Sequence, residues 1–180
     1  MKEITFAIIQ AFEAGIFIND IKTPNVLVDR LPSGLPARVK ICDLGGVTEC
    51  GAADPTLTTY PSFRRASGLD TSPLCEKDLV WGLAALALNI IDPKNAIVFT
   101  AIPRASFGGI MGTVFRSNQN IARITTRKVA SAQINYVHKL RRQYNGCEHV
   151  FNAVEYAIST DTPELAQFAA ALNANEDHQT

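Results

Sequence analysis

The chain has 180 residues, of which 47% are hydrophobic and 19% charged, and its formal net charge is zero. This balance is typical of one globular domain with a sizeable core. A net charge of zero argues against non-specific attraction to nucleic acid or to an anionic membrane. The longest apolar run, at 79–91, is shorter than the ~20 residues that a membrane-spanning helix needs.

The cysteines and the N-terminus complete this first view of the protein. The four cysteines are widely spaced and form no C-x-x-C pair, which favours reduced thiols. The first residues contain no apolar signal core. We therefore expect an intracellular protein, cytoplasmic or nuclear, that has neither a nucleic-acid partner nor a membrane partner.

The first part of the chain predicts a helix followed by short strands. Apolar residues recur at helical spacing over 4–15, and Gly15 is suited to end that helix. A short apolar stretch at 16–18 follows. Segments 26–28 and 39–42 are typical of strands, and a turn rich in Pro and Gly separates them. The pattern predicts a β-hairpin with a long turn.

A long irregular segment and a buried helix come next. Residues 46–77 lack periodicity and are rich in Gly, Pro, Ser and Thr. A loop of this length inside a compact domain is uncommon unless it is functional. The apolar run that follows predicts a buried helix at 78–91, interrupted only by the polar Asn89 and ended by Asp92 before a proline.

The second half of the chain predicts further helices. Segment 93–118 is compatible with more than one structure. Helices are expected at about 119–144 and 147–158, and Thr162 is expected to cap a last one, with Pro163 at its first position.

Taken together, the elements predict a mostly helical α+β domain over residues 1–173 with one or two short β-hairpins. Its C-terminal helices fall within 119–173. The last residues, 174–180, are expected to form a disordered tail.

Four polar residues around the predicted hairpin have the side chains that phosphoryl transfer requires. They are Asp20, Lys22, Asn25 and Asp43. Charge builds up on the phosphoryl oxygens during transfer, so the site must hold metal ions and must orient the acceptor hydroxyl. An aspartate can orient that hydroxyl, and a lysine can reach the phosphate. Asn25 and Asp43 offer the hard oxygen ligands that suit Mg²⁺, and a hairpin would bring them to one point.

The same residues carry a resemblance to a known family. Segment 16–28, IFINDIKTPNVLV, resembles the catalytic loop of eukaryotic-type Ser/Thr protein kinases. The sequence DLG at 43–45 resembles the metal-binding Asp-Phe-Gly element of that family. Segment 46–77 then holds the place of the activation segment, and the helix at 78–91 that of the long buried helix.

The resemblance implies a protein-kinase-like C-lobe and the roles of its site residues. It implies ATP and Mg²⁺ as cofactors and phosphoryl transfer to Ser or Thr hydroxyls of a protein substrate. Asp20 would be catalytic, and Lys22 would be catalytic and contact the nucleotide. Asn25 and Asp43 would bind the metal and, through it, the nucleotide.

The sequence also departs from the family pattern. Ile18 and Asn19 stand where the family has His-Arg before the catalytic aspartate. The Gly-rich strand and turn of an ATP-covering N-lobe have no counterpart before the loop, so we expect this chain alone to lack activity. It is then either a fragment of a longer kinase or a natural C-lobe alone.

Two alternatives remain open. The first is a non-catalytic kinase-like C-lobe, a pseudokinase, that binds and modulates a partner kinase or its substrate. The second is a small-molecule phosphotransferase, which shares the D-x-x-x-x-N…D layout. Lys22, two residues after the aspartate, favours the protein-kinase branch over this second alternative.

Overall fold

The computed structural model describes residues 1–18, 20–52, 73, 75–94 and 119–174, and side chains are described outside 119–129. The helices of these ranges are α1 (Lys2–Glu13), α2 (Glu76–Ile91), α3 (Gln119–Gln143), α4 (Glu148–Ser159) and α5 (Leu165–Asn173). The strands are β1 (Ile16–Ile18), β2 (Val26–Arg30), β3 (Pro36–Ile41) and β4 (Val47–Glu49). Two short 3₁₀ turns lie at Thr23–Asn25 and Leu44–Gly46.

The strands form two small antiparallel sheets. β2 and β3 are a hairpin in which Val26 lies opposite Ile41. β1 pairs with β4, which follows the hairpin in the chain, and Ile18 lies opposite Val47. The second sheet therefore closes a loop that starts after β1 and ends before β4, and this loop contains the hairpin and both 3₁₀ turns.

The core of the described residues is built around α2. Every residue from Asp78 to Leu88 is buried. α2 packs against α4 and α5, while α4 also packs against α3 and α1 packs against α5. The largest fully buried side chains include Phe17 of β1, Phe151 of α4 and Phe168 of α5. Because Phe17 is anchored in this core, the chain that leaves β1 starts from a fixed position.

The α+β class expected from the sequence is confirmed, as is the hairpin. The expectation of a long turn is wrong, because the strands extend into it and leave only residues 31–35 between them. The second sheet is not a hairpin, because β1 and β4 are far apart in sequence. The prediction of an irregular segment from residue 46 is wrong at its start: Val47–Glu49 is a strand, and its pairing with β1 was not visible as a local pattern. Residues 53–72 and 74 of the activation-like segment lie outside the described residues.

The C-terminal helices follow the expected ranges closely, with one correction. α5 begins at Leu165, not at Pro163, and its N-cap residue is Glu164 rather than Thr162. The N–H of Leu165 donates a 2.6 Å hydrogen bond to the carboxylate of Glu76, on α2. A tertiary contact therefore sets this helix start. Residues 175–180 of the expected tail lie outside the described residues, and no described helix is both long and apolar enough to cross a bilayer.

Candidate functional site

Three of the four predicted site residues are in direct contact. The side-chain amide of Asn25 donates one hydrogen bond to the main-chain oxygen of Asp20 and one to its carboxylate Oδ2, each at 3.0 Å. The ammonium of Lys22 lies 2.6 Å from the same Oδ2. An amide and a cation therefore meet on one carboxylate oxygen, and together they fix the orientation of the Asp20 side chain.

The burial of the Asn25 side chain, and the partial burial of Lys22 and Asp20, restrict these contacts to one geometry. Asn25 is 4% exposed, which is unusual for an asparagine and requires that its amide be hydrogen-bonded. The side chains of Lys22 and Asp20 are 26% and 17% exposed, so their ion pair is only partly screened by solvent. Both hydrogen bonds of the Asn25 side chain use its nitrogen. Its amide oxygen is thus directed away from Asp20.

The hairpin brings the Asp43 segment back to Asn25. The N–H of Cys42 donates a 2.8 Å hydrogen bond to the main-chain oxygen of Asn25. This bond extends the ladder of β2 and β3 by one step beyond the pair Val26 and Ile41. Asp43 is the next residue, so its backbone begins beside Asn25 although 18 positions separate them in the sequence.

Asp43 has an uncommon backbone conformation. Its φ is 55°, in the left-handed region, and it is the one non-glycine residue with positive φ among those described. Aspartate tolerates this region better than most residues, but still at a cost relative to glycine. The conformation turns the chain sharply from β3 into the 3₁₀ turn at Leu44–Gly46. Such conformations are concentrated at functional sites.

The Asp43 side chain is exposed and curls towards its own turn. A Cβ placed on Gly45 would lie 3.5 Å from Asp43 Oδ1. Within the described part of the chain, the hydrogen bonds and ion pairs do not include the Asp43 carboxylate. The structure thus joins Asp43 to Asn25 through the backbone, whereas it joins Asp20, Lys22 and Asn25 through side chains.

The turn after Asp43 also touches Asp20. A Cβ placed on Gly46 would lie 3.6 Å from Cβ of Asp20, so the two backbones pass close to one another. The pairing of Ile18 with Val47 explains this approach. Asp20 follows Ile18 by two residues and Gly46 directly precedes Val47, so the paired strands bring these two positions together. Asp20, Asn25 and the Asp43 turn consequently form one cluster, which we call the acidic loop cluster.

The loop that carries Asp20 lies on α2. Ile21 is buried, and its Cδ1 would lie 3.4 Å from a Cβ placed on Gly82. The hydroxyl of Thr23 donates a 3.3 Å hydrogen bond to Oδ1 of Asn89. Sequence reasoning did not assign a role to Thr23, Gly82 or Asn89. The available signal was Asn89 itself, a lone amide within an apolar helix.

The ligand chemistry of the cluster is that of hard oxygen donors. In the ranges that the structure describes, no three His, Cys, Asp or Glu side chains gather where they could hold a metal ion. A metal at the acidic loop cluster would instead use the amide oxygen of Asn25 and the carboxylate of Asp43. Mg²⁺ accepts such a set, because it commonly takes one or two protein carboxylates and completes its shell with water and phosphate oxygens.

No protein-family model matches this chain, and no curated protein matches it either.

Proposed function

We propose that this chain carries the phosphotransfer site of a Ser/Thr protein kinase, on a C-lobe of the protein-kinase type. The observation that carries the proposal is the double hydrogen bond from Asn25 to Asp20, combined with the main-chain bond from Cys42 to Asn25. Because of these bonds, the base candidate, one metal-ligand candidate and the backbone of the other occupy one place. This proximity supports the arrangement that the resemblance to kinases implies.

The proposed roles follow from chemistry and position. Asp20 orients the acceptor hydroxyl and accepts its proton, and the bond from Asn25 holds its carboxylate in place. Lys22, which is paired with Asp20 at 2.6 Å, is close enough to stabilise the charge that develops on a transferring phosphoryl group. Lysine suits this role because its ammonium is a compact point charge on a flexible stem.

ATP and Mg²⁺ are the proposed cofactors. Asn25 and Asp43 would hold the metal, which would neutralise phosphate charge when bound. The exposure of the Asp43 carboxylate supports this, since an exposed side chain can turn towards a ligand without first breaking a partner bond. The proposed partner is a protein substrate that presents a Ser or Thr hydroxyl.

The experiment uses Mn²⁺ as a paramagnetic probe in place of Mg²⁺, first alone and then with ATP. We expect Mn²⁺ to broaden the NMR signals of Asn25 and Asp43 selectively, and Mg²⁺ to compete with it. Asp43→Ala should abolish this selective broadening. Asp29→Ala is the matched control, because Asp29 is an exposed aspartate on the same hairpin. Broadening that is equal in both variants would exclude the metal assignment.

A second candidate function is a non-catalytic kinase-like C-lobe that modulates a partner kinase. The departures at Ile18 and Asn19 favour it, because the family has His-Arg at these positions before the catalytic aspartate. A thermal-shift measurement with Mg-ATP separates the two functions. Stabilisation that is lost in Asp43→Ala supports the phosphotransfer site, and the absence of stabilisation supports the non-catalytic module.

The acceptor class needs its own assay. Because this chain alone is expected to lack activity, the assay uses the longest form of the protein that the gene encodes and compares phosphorylation of Ser/Thr peptides, sugars and aminoglycosides under the same conditions. Transfer to peptides alone supports the protein-kinase branch. Transfer to sugars or aminoglycosides supports a small-molecule phosphotransferase.

A further inference from the structure

We infer that Thr23 and Asn89 are positioning residues of the acidic loop cluster, which they hold at a fixed place on α2. The inference rests on the proposed function, because that function gives the cluster its role, but the contacts from which the inference is drawn do not depend on the function. Thr23 is in the loop next to Lys22, whereas Asn89 is near the C-terminal end of α2. The hydrogen bond between their side chains spans 66 positions of sequence.

The hydrogen bond from Thr23 to Asn89 also affects the position of Asn25, because a short 3₁₀ turn connects Thr23 to Asn25. Thr23 is the first residue of the 3₁₀ turn, and Asn25 is the last. The N–H of Asn25 donates to the main-chain oxygen of Lys22 at 3.0 Å, which closes the turn. A displacement of Thr23 would therefore carry Asn25 with it. Asn25 in turn holds Asp20 through two hydrogen bonds, so the effect would reach both ends of the loop.

A second contact shows that the loop runs along one face of α2. Gly82 and Asn89 are seven residues apart, which is close to two helical turns and about 10 Å along the axis. They consequently lie on the same face. Ile21 packs at Gly82, where the missing side chain leaves room for it, and Thr23 is bonded at Asn89. Packing therefore anchors the loop at one position and a hydrogen bond anchors it at another.

The chemistry of α2 makes Asn89 the informative residue. It is the one polar side chain between Leu79 and Ile91. A leucine at this half-buried position would contribute more to burial, whereas an amide contributes only when it has a partner. Thr23 supplies that partner. The side chain is thus better suited to locating the loop than to packing the core.

The test compares one substitution that removes the hydroxyl of Thr23 with one that keeps it. Thr23→Val keeps the shape and removes the donor, whereas Thr23→Ser keeps the donor. We expect Thr23→Val to shift the NMR signals of the Asn25 side-chain amide and to weaken Mn²⁺ binding by about threefold to tenfold. Thr23→Ser should restore both. Thr162→Val is the control for an exposed threonine outside the cluster.

Asn89→Leu tests the other partner. It should reproduce the shift of the Asn25 signals, and the double variant with Thr23→Val should add little to either single change, because both remove the same bond. Full additivity of the two changes would overturn the inference. If Asn89→Leu disturbs the fold, the Thr23→Val and Thr23→Ser pair still decides the question.

The NMR signals of Asn25 and the affinity for Mn²⁺ test this inference and the proposed function separately. Unmoved Asn25 signals in folded Thr23→Val overturn the positioning role, even if the wild-type chain binds Mn²⁺. Asn25 signals that shift in Thr23→Val, together with a wild-type chain that binds no Mn²⁺, support the positioning contact and contradict the phosphotransfer site. Shifted signals with weakened Mn²⁺ binding support both.

Discussion

Asn25 holds Asp20 at two points, since its side-chain amide donates to the main-chain oxygen and to the carboxylate, each over 3.0 Å. Both bonds start from one nitrogen of a side chain that is 4% exposed. The relationship fixes the conformation of the loop and the direction of the carboxylate together. A change at position 25 should therefore affect stability and the site at once.

The first prediction concerns Asn25→Asp. The substitution keeps the size of the side chain but replaces the donor with a carboxylate oxygen, which would face the carboxylate of Asp20. We expect the free energy of unfolding to fall by about 2 to 3 kcal/mol, because two hydrogen bonds are lost and two like charges are held together. Urea denaturation at neutral pH measures the change.

The control for this prediction is Asn145→Asp. Asn145 is exposed in the turn between α3 and α4, where an added charge remains in water. Its stability should change by less than about 0.5 kcal/mol. A loss of similar size in both variants would show that the bonds from Asn25 contribute little.

The second prediction concerns the left-handed conformation of Asp43. With a φ of 55°, Asp43→Gly should be more stable than Asp43→Ala by about 1 kcal/mol, because glycine adopts positive φ without steric cost. Both variants remove the carboxylate, so both should lose the selective Mn²⁺ effect. Urea denaturation of the two variants isolates the backbone contribution.

The same two substitutions at Asp29, to Gly and to Ala, should have the opposite order of stability. Asp29 is an exposed strand residue, and its φ is not positive. There Ala should be the more stable of the two replacements, because glycine loses more backbone freedom in a strand. The same order of stability at both positions would contradict the role given to the conformation of Asp43.

Much of the fold was predictable from local patterns, since helix periodicity and turn residues act over short distances. The helix expected at 78–91 corresponds to Glu76–Ile91, and the hairpin strands expected at 26–28 and 39–42 correspond to Val26–Arg30 and Pro36–Ile41. The strand Val47–Glu49 was missed because three residues carry too little pattern and its partner, β1, is far away in sequence. The cap of α5 was misplaced because Glu76, a residue of another helix, supplies an acceptor for its first N–H.

The residues of the candidate site were predictable from the sequence, but most contacts among them were not. The residue types at 20, 22, 25 and 43 identified the candidates, and the structure brings the first three into side-chain contact. The anchoring of the loop on α2 depends on Thr23, Gly82 and Asn89, whose roles appear only when the loop and the helix are seen together. No local pattern encodes such a pairing.

The third prediction concerns the contact between α3 and α4. The guanidinium of Arg141 lies 3.1 Å from the carboxylate of Glu155 and 3.3 Å from that of Glu148. It also donates a 2.9 Å hydrogen bond to Oδ1 of Asn152, and its Cζ lies 5.9 Å from the ring centre of Phe151. Arg141→Lys should lower the free energy of unfolding by about 1 to 2 kcal/mol, because an ammonium cannot replace the planar fork of a guanidinium.

Arg142→Lys provides the control for that substitution. Arg142 is the exposed neighbour of Arg141 on the same helix, and the exchange there should be nearly neutral. Added salt should narrow the difference between wild type and Arg141→Lys, since part of it is electrostatic. Equal effects of the two substitutions would mean that the contacts of Arg141 do not join the helices.

The fourth prediction concerns Tyr136, which links α3 to the end of α2. Its hydroxyl donates a 2.9 Å hydrogen bond to Oδ2 of Asp92. Burial, reinforced by this bond and by the charge of Asp92, raises the pKa of Tyr136 well above its usual value. Tyr136→Phe should destabilise the protein by about 1 to 2 kcal/mol at neutral pH, because the hydrogen bond from the hydroxyl to Oδ2 of Asp92 is lost.

The pH dependence of that effect has a definite sign. The phenol is favoured in the folded protein, so its contribution is complete below the unfolded pKa of about 10 and declines as the pH rises towards the higher folded value. The stability difference between wild type and Tyr136→Phe should therefore shrink above about pH 10. In an absorbance titration of the folded chain, Tyr136→Phe should remove a late-ionising tyrosine. A late ionisation that persists unchanged in Tyr136→Phe would show that the contact with Asp92 does not hold the phenol protonated.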